Sequence, residues 1–432
     1  MASGVSRMSG NDKRPLVPRL RFPEFQDAGE WGSPTLGEIS EPVEERVGER
    51  QLTPVSISAG IGFVPQAEKF GRDISGNQYK LYTVVRDGDF VYNKGNSLKF
   101  PQGCVYDLQG WGEVAAPNVF ICFRLKNGYE NGFYRQCFEG NAHGTQLRKY
   151  ITSGARSNGL LNISKNAFWG VRIPTPGHAE QQKIADCLSS LDDLIAAESL
   201  KLDVLKINKK GLMRKIFPRK RETIPQFRFP EFRDEEEWKS DFLGNIFETT
   251  SGGTPSRSVK EYWDGDIPWI TTSLVDFRII TNADEFISEE GLKNSSAKRF
   301  PQGTVLIAMY GQGKTRGQVA LLGIEAATNQ ACAAILPRKE IDPYFVFLNL
   351  ADRYEELRLL SNSGGQENLS QGLIRVISFS YPSNPAEQRT IITCLISLDN
   401  FIIEQTQKIE ALKIHKKGLM QRLFPRLYEV SA

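Results

Sequence analysis

The feature that most constrains this chain is a tandem duplication that covers nearly all of its 432 residues. Residues 18–25 (PRLRFPEF) return 207 positions later as residues 225–232 (PQFRFPEF). Further segments recur with the same spacing: AEQ at residues 179–181 and 386–388, and KKGLM at residues 209–213 and 416–420. Because all of these segments recur with the same spacing, the sequence predicts two copies of a single structural unit.

Each repeat has a long variable part followed by a shorter part that matches closely. The variable parts agree only in short pieces, such as FPQG at residues 100–103 and 300–303. They therefore predict one fold whose loops differ in length and chemistry, which is typical of two different recognition surfaces. The local patterns predict a mixed α and β structure: strands at 79–85 and 88–92 joined by an Asp-Gly turn, buried strands at 303–308 and 331–336, and a helix at 344–360.

The matching parts predict two long helices, because apolar residues recur there at the a and d positions of a heptad. These seam residues are Leu188, Leu191, Ile195, Leu202 and Leu205 in the first helix and Leu395, Leu398, Ile402, Ile409 and Leu412 in the second. Each helix would span about 50 Å at 1.5 Å per residue. Such seams favour a coiled coil between the two helices, and the alternative is that each helix lies on the core of its own domain.

Composition sets weaker limits. No apolar run approaches the roughly 18 residues that cross a bilayer, and no hydrophobic signal segment opens the chain, so we expect a cytoplasmic protein without a membrane partner. The net charge of +3 does not by itself indicate a nucleic-acid partner. The six cysteines form no C-x-x-C pair, and we interpret them as reduced core residues.

Enzyme motifs are missing. The three histidines are not spaced as metal ligands, and the chain has neither the Pro-Pro of an amino-methyltransferase motif nor a G-x-S-x-G elbow. Residues 309–315 (MYGQGKT) resemble a phosphate-binding loop, but Ala308 stands where its first glycine is required. We therefore expect a chain that is not an enzyme and holds no metal, with a P-loop ATPase or a divergent nuclease as the enzyme alternatives.

The ordered set of motifs resembles a known family. SGGTPS at 251–256, DIPWI at 266–270, TNQAC at 328–332 and PAEQ at 385–388 follow the order found in specificity subunits of Type I restriction-modification systems. The resemblance implies an α+β fold with two mixed α/β target-recognition domains, each followed by a long helix. The two helices would pair as an antiparallel coiled coil with pseudo-two-fold symmetry. The first domain lacks SGGTP and has residues 44–50 (EERVGER) instead.

The resemblance also implies domain boundaries. They are a disordered N-terminal tail at 1–17, target-recognition domain 1 at 18–178, spacer helix 1 at 179–218, target-recognition domain 2 at 219–385, spacer helix 2 at 386–425, and a C-terminal tail at 426–432.

The function implied by the resemblance is that of a DNA-binding subunit that reads a bipartite sequence in double-stranded DNA. Its expected partners are two modification (methyltransferase) subunits and restriction (helicase-nuclease) subunits. This chain would carry no cofactor, and S-adenosylmethionine and ATP with Mg²⁺ would be used by the partner subunits. The alternative function is a coiled-coil assembly protein that does not read bases.

Candidate DNA-binding residues are the amide, hydroxyl and cationic side chains of the variable loops, because such groups contact phosphates and base edges. In the first domain they are Asn93, Lys94, Asn96, Lys99, Arg156 and Asn158. In the second they are Ser251, Thr254, Ser256, Arg257, Lys314, Arg316, Gln366 and Asn368. The alternative is that these residues only shape solvated surface turns.

Overall fold

A computed structural model describes residues 15–95, 100–151, 161, 163–219, 222–311, 314–360 and 368–425. Of the predicted tails, residues 1–14 and 426–432 lie outside this range. The chain divides into two compact units. Unit 2 is Ser199–Gln407, and unit 1 combines the residues up to Glu198 with those from Lys408 onward. Each unit thus contains one variable part and segments of both long helices.

Unit 1 holds two four-stranded sheets among its described residues, in the orders β1-β8-β5-β6 and β3-β2-β7-β4. The strands are β1 (Ser40–Pro42), β2 (Thr53–Ser58), β3 (Gly62–Pro65), β4 (Thr83–Arg86), β5 (Phe90–Asn93), β6 (Cys104–Asp107), β7 (Glu113–Ala116) and β8 (Ile121–Leu125). Its short helices are α1 (Leu36–Ile39), α2 (Gln66–Phe70), α3 (Asn131–Glu139), α4 (Gly144–Leu147) and α5 (Lys165–Trp169), with 3-10 turns at Pro23–Phe25, Gly76–Leu81 and Arg148–Tyr150.

The long helix α6 (His178–Ile216) begins in unit 1 and ends in unit 2. The strands of unit 2 are β9 (Lys239–Phe242), β10 (Thr249–Ser251), β11 (Trp263–Ile270), β12 (Ile279–Ile280), β13 (Glu285–Ile287), β14 (Arg299–Phe300), β15 (Val305–Ala308), β16 (Val319–Leu322), β17 (Ala326–Thr328), β18 (Cys332–Ile335) and β19 (Ser378–Tyr381). They form sheets ordered β10-β18-β15-β16-β12, β13-β11-β17-β14 and β19-β9.

The remaining helices of unit 2 are α7 (Leu243–Ile246), α8 (Glu289–Lys293), α9 (Pro343–Asp352), α10 (Tyr354–Leu359), α11 (Gln371–Arg375) and the long α12 (Pro385–Leu423), which ends in unit 1. Short 3-10 turns lie at Pro230–Phe232, Lys260–Tyr262 and Thr272–Leu274. The predicted helix at 344–360 is present, but it is divided into α9 and α10 at Arg353.

The two units share one topology, as the duplication predicts. The order β1-β8-β5-β6 corresponds to β10-β18-β15-β16, and β3-β2-β7-β4 corresponds to β13-β11-β17-β14. The parallel pair β2 and β7 in unit 1 corresponds to the parallel pair β11 and β17 in unit 2. The β9–β19 pair of unit 2 also has a counterpart in unit 1. There, two isolated β-bridges join Gly32 to Thr175 and Thr35 to Arg172. Among the described residues, β12 is the strand without a counterpart.

The prediction that the two FPQG segments occupy equivalent places in the repeats is wrong. Residues 100–103 precede β6, which is the edge strand of its sheet, whereas residues 300–303 lead into the central strand β15. By topology β15 corresponds to β5, so Gly88 and not Gly103 matches Gly303. Because the preceding loops differ in length, a four-letter match at a different spacing does not mark the same place in the fold.

The predicted hairpin of residues 79–85 and 88–92 is also wrong. Strands form at β4 and β5, but they belong to different sheets, and residues 79–81 lie in a 3-10 turn. The carboxylate of Asp87 accepts hydrogen bonds from the backbone N–H groups of Trp111 (3.1 Å) and Gly112 (3.0 Å). These contacts hold the Asp-Gly turn against the segment before β7, so the chain passes from one sheet to the other. The buried strands predicted at 303–308 and 331–336 are confirmed as β15 and β18.

The two long helices each contain 39 residues, and each ends just before a Phe-Pro segment, at residues 217–218 and 424–425. All ten predicted seam residues are buried or half-buried, with Leu188 and Leu395 fully enclosed. Positions between the seam residues, such as Ile207 and Ile414, are more than two-thirds exposed. The predicted heptad pattern therefore identifies the face of each helix that packs.

Inside unit 1 the two helix segments run antiparallel. The ammonium of Lys416 lies 2.7 Å from the carboxylate of Asp192, and Lys408 pairs with Glu198. The partner of the later residue of α12 is the earlier residue of α6, so the two helix segments run in opposite directions. A supercoil along the whole helix pair stays a prediction.

Unit 2 shows the same arrangement with the roles of the helices exchanged. Lys209 of α6 contacts Asp399 of α12 at 2.5 Å, and these residues are the repeat equivalents of Lys416 and Asp192. Near the end of α6, Met213, Ile216 and Phe217 pack in one core cluster with residues at the start of α12. Each helix end therefore packs against the beginning of the other helix.

The helix ends also complete the cores of the domains. Leu423, at the end of α12, is 2% exposed and packs in one cluster with Phe133, Ile184 and Leu188 of unit 1. Phe424 contacts the rings of Trp31 and Phe133. The last turn of the second repeat is thus part of the core formed by the first variable part.

A buried ion pair joins each domain opening to the start of its long helix. Arg21 donates two hydrogen bonds to Glu180 at 2.8 and 2.7 Å, and the indole N–H of Trp31 donates a third at 3.3 Å. In unit 2 the guanidinium of Arg228 binds Glu387 twice at 2.8 Å, and the Trp238 indole donates at 3.0 Å. We call these contacts the opening clamps. They explain why Arg, Trp and Glu recur with one spacing.

Among the described residues, no helix is both long and apolar enough to cross a membrane. All six cysteines, which lie in the described part of the chain, are free thiols. Burial raises the pKa of Cys122 and of Cys332 to about 12, so these thiols stay protonated at neutral pH.

The packing of Leu423 generates a prediction. Leu423→Ala removes buried methyl groups from the core of unit 1 and should lower its free energy of unfolding by about 2–5 kcal/mol. The control is Ile414→Ala on the same helix, where the side chain is 69% exposed and the loss should stay near zero. Denaturant unfolding of both variants measures the difference. Equal stabilities would show that the helix end is not part of this core.

Candidate nucleic-acid interface

Three variable loops leave the same edge of the corresponding sheet in each unit. In unit 1, β1 and β5 both run antiparallel to β8, so the chain leaves both strands at one edge. In unit 2, β10 and β15 run antiparallel to β18 in the same way. Loop 1 follows β1 or β10, and loop 2 joins β5 to β6 or β15 to β16. We call this side of each unit the loop edge.

A third loop reaches the same edge just before a short helix. In unit 1 the backbone N–H of Leu161 donates to the carbonyl oxygen of Lys94 at 2.9 Å. In unit 2 the N–H of Leu369 donates to the carbonyl oxygen of Met309 at 3.0 Å. Lys94 and Met309 both follow the central strand, so the two bonds are equivalent. Loop 3 is the segment that leads into Leu161 or Leu369.

The candidate DNA-binding residues that the structure describes fall on or beside these three loops. Five other candidates, Asn96, Lys99, Arg156, Asn158 and Gln366, lie outside the described residues. Those that the structure describes are Asn93, Lys94, Ser251, Thr254, Ser256, Arg257, Lys314, Arg316 and Asn368. Residues chosen separately in two divergent domains therefore come together at corresponding edges. Their contacts with DNA stay predictions.

Asn93 is a shaping residue at the start of loop 2 in unit 1. Its side-chain amide donates to the carbonyl oxygen of Ile57 at 2.7 Å, and its amide oxygen accepts from the N–H of Gly95 at 2.7 Å. Both ends of the amide are therefore engaged within the unit, which favours the surface-turn alternative for this residue.

Loop 1 of unit 2 contains the SGGTPS motif, and its two glycines allow a close approach to the TNQAC motif. A Cβ on Gly252 would lie 1.9 Å from the carbonyl oxygen of Thr328, and the N–H of Gly253 donates to that oxygen at 2.8 Å. The hydroxyl of Thr254 donates to the side-chain oxygen of Gln330 at 2.6 Å. The two motifs are thus one structural feature, and side chains larger than glycine do not fit at its centre.

Arg257 is held rigidly at the end of this loop. Its guanidinium carbon lies 3.6 Å from the ring centroid of Trp263 and 5.0 Å from that of Trp269. Glu285 forms an ion pair with it at 2.5 Å. More than half of the side chain is still exposed, so a planar cation is presented in a fixed position, which suits recognition of a base edge or a phosphate. The sequence showed the arginine but not its aromatic support.

Loop 2 of unit 2 presents one exposed cation and one anchored cation. Lys314 is exposed, and its carbonyl oxygen accepts a hydrogen bond from the Tyr354 hydroxyl at 2.5 Å. The guanidinium of Arg316 donates to the carbonyl oxygen of Arg358 at 3.0 Å and is half-buried. Lys314 is therefore the better placed of the two to reach a phosphate. Tyr354 and Arg358, which sequence reasoning missed, come from helix α10.

Titratable residues outside the loops include His143, which is buried. No group of His, Cys, Asp and Glu among the described residues could hold a metal ion. His143 is buried against Tyr92 and Phe138, and burial lowers its pKa to about 4, so it is neutral at physiological pH. The loop edges present polar and cationic groups that suit binding.

Known proteins are similar to part of this sequence and to its fold. The family profile described as the Type I restriction modification DNA specificity domain matches residues 235–413. The MjaIX specificity subunit of Methanocaldococcus jannaschii is 30% identical over 183 residues, which are 41% of this chain and 41% of that protein. The EcoR124I/EcoR124II specificity subunit of Escherichia coli is 28% identical over 38% of this chain and 41% of its own length.

Two solved structures agree with this chain over most of its length. The S subunit of a Type I restriction-modification system from M. genitalium superposes with a TM-score of 0.53, covering 96% of this chain and all of that one at 14% identity. A chain from a study of complex assembly in a type I R-M system has a TM-score of 0.59, with 91% and 97% coverage and 16% identity. At these identities the likeness is one of fold.

Residues 235–413 of this chain are thus similar in sequence to the Type I restriction modification DNA specificity domain, and the chain is similar in fold to a solved S subunit. The resemblance to the specificity subunits of Type I restriction-modification systems, predicted from the order of the motifs, is confirmed. The matched segment covers about two fifths of the length of the first two relatives.

Proposed function

We propose that this chain is the DNA-binding specificity subunit of a Type I restriction-modification complex and reads a bipartite sequence. The observation that carries the proposal is the repetition of one loop edge in two units with different side chains. Loop 1 of unit 1 contains EERVGER where unit 2 has SGGTPSR, and the glycine-rich loop 2 of unit 2 has no sequence match in unit 1. Different donors on one scaffold favour two different half-sites.

Double-stranded DNA is the ligand that suits these edges. Arg257 and Lys314 place cationic groups on two loops of unit 2. Loop 1 of unit 1 contributes Arg46, which bonds the carbonyl oxygen of Leu81, and Arg50, which pairs with Glu45. Cations position a protein on phosphates, and a supported guanidinium is able to read a guanine edge.

The long helices are the proposed spacer between the half-sites. Each contains 39 residues and so spans about 58 Å. The opening clamps fix each variable part to the beginning of its helix through buried bonds that Arg21 and Arg228 donate. Because each variable part is fixed to its helix, the length of the helices determines the preferred gap between the two half-site sequences.

The outer faces of the helices are the proposed docking surface for modification subunits. Ile207 and Ile414 are repeat equivalents at the heptad position opposite the seam, and they are 68% and 69% exposed. One lies in each unit, which favours two copies of one partner. In this proposal the methyltransferase subunits use S-adenosylmethionine and the restriction subunits use ATP with Mg²⁺. This chain itself is not an enzyme.

Docking on the helix faces predicts a change in stoichiometry. Ile207→Asp or Ile414→Asp should each cost one modification subunit, and the double variant should lose both, because a carboxylate would be desolvated at the interface. Native mass spectrometry of the co-purified complex counts the subunits. Leu359→Asp, at an exposed leucine of α10, is the control. A double variant that retains two modification subunits contradicts this docking surface.

Selection from random DNA tests the proposed function directly. The chain in complex with its modification subunits should enrich one sequence in two parts with a fixed gap. The Lys314→Ala variant should lower the affinity for all sequences and reduce the salt slope by about one if Lys314 contacts a phosphate. If Lys314 reads a base, discrimination at one position should fall by about 1–3 kcal/mol.

The control for this variant is Lys339→Ala, since Lys339 is exposed and follows β18 at the opposite edge of the same sheet. It should leave the affinity and the motif unchanged. Enrichment of a single uninterrupted motif, or of none, contradicts bipartite reading. An intact complex that selects no motif would instead support the alternative, an assembly protein that does not read bases.

A further inference from the structure

Phe277 is an aromatic residue in a backbone conformation that its side chain disfavours. Its φ is +65°, in the left-handed region, and its side chain is 39% exposed. Asn141 and Asp264 are the other non-glycine residues with positive φ in the described part of the chain, and their side chains tolerate that region. A bulky residue that is held there and remains exposed indicates a functional constraint.

The neighbouring strands keep Phe277 in this conformation. Its backbone N–H donates to the carbonyl oxygen of Val319 at 2.8 Å, and the carbonyl oxygen of Arg278 accepts from Leu321 at 3.0 Å. Strand β12 then continues the parallel pairing with β16. Bonds to β16 on both sides of the strained residue prevent the segment from relaxing.

The ring of Phe277 stands at the loop edge of unit 2, beside loop 2. Val319 is the first residue after that loop, and the Phe277 ring meets the Tyr354 ring edge-on at a centroid distance of 5.1 Å. Tyr354 in turn binds the backbone of Lys314, and the Arg358 guanidinium lies 5.5 Å from its ring. The exposed Phe277 ring therefore lies beside the loop that carries Lys314, where it is able to meet a nucleic-acid base.

Unit 1 does not repeat this feature in its described residues. The segment that carries Phe277 leads into β12, and the corresponding sheet of unit 1 ends at β6 without a fifth strand. The aromatic therefore belongs to what differs between the units and not to the shared scaffold.

We propose that Phe277 inserts at a base step of the half-site read by unit 2 and stacks on a base exposed there. The inference rests on the proposed function and adds a contact made through shape and stacking. Apolar side chains inserted between base steps unstack and kink DNA, and nearby cations neutralise the phosphates that are drawn together.

The test uses the complex with modification subunits and a duplex carrying the selected sequence. The fluorescent base 2-aminopurine replaces each adenine of the half-site and its flanks in turn. Binding of the unaltered complex should raise the fluorescence at one step, because the base loses its stacking neighbour. Phe277→Gly should abolish this rise and weaken binding by about 5-fold to about 100-fold, the equivalent of one lost base-stacking contact.

Glycine adopts positive φ without strain, so the Phe277→Gly variant should keep the melting temperature of the parent protein. Phe277→Asn is a second variant, because asparagine also tolerates this region. The control is Phe242→Ala: Phe242 is 50% exposed in the same unit and has an ordinary φ of −72°. It should leave both fluorescence and affinity unchanged.

Several results would overturn the inference. The unaltered complex shows no rise at any position, or the rise and the affinity survive in the folded Phe277→Gly and Phe277→Asn variants. A loss of folding in both variants means that the ring is a packing residue, and a loss of modification subunits with unchanged DNA affinity assigns it to a protein contact. Failure of the proposed function is distinguishable, because no two-part motif would then be selected by the unaltered complex.

Discussion

The rest of the structure depends on the hydrogen-bonded ion pair that each domain opening makes with a buried carboxylate at the start of its long helix. Glu180 and Glu387 are each almost fully enclosed and accept bonds from one arginine and one tryptophan of the domain opening. Breaking such a pair leaves an unpaired buried charge, at a cost of about 3–5 kcal/mol. The following glutamine, Gln181 or Gln388, binds the backbone of the same domain. The Glu-Gln pair therefore fixes where the variable part meets its helix.

This arrangement separates what must stay constant from what is free to differ. The clamps, the seam and the helix ends that complete each core are the same in both repeats, so the sheets hold their loops at equivalent edges. Among the described residues, the clamp bonds do not involve the loops, and the hydrogen bond between Thr254 and Gln330 is internal to the loop edge. A duplicated scaffold of this kind presents two unlike surfaces without a change in the frame that supports them.

The sequence predicted the features that repeat with a fixed spacing. The seam residues are buried or half-buried, and each long helix ends just before a Phe-Pro segment, because periodicity and proline act locally. Features that depend on partners distant in the chain were missed or misplaced. The FPQG segments occupy different strands because loop lengths differ, β4 and β5 enter different sheets, and neither the aromatic support of Arg257 nor the strained backbone at Phe277 has a local sequence signal.

If the long helices set the gap between the two half-sites, a change in helix length should change that gap. One heptad inserted after Ser199 and one after Thr406, which are repeat equivalents, keeps the seam in register. Each helix becomes about 10 Å longer, which corresponds to about three base pairs. DNA selection with this variant should return the same two half-sites separated by about three more base pairs. An unchanged gap in a folded variant that still binds DNA would contradict the account.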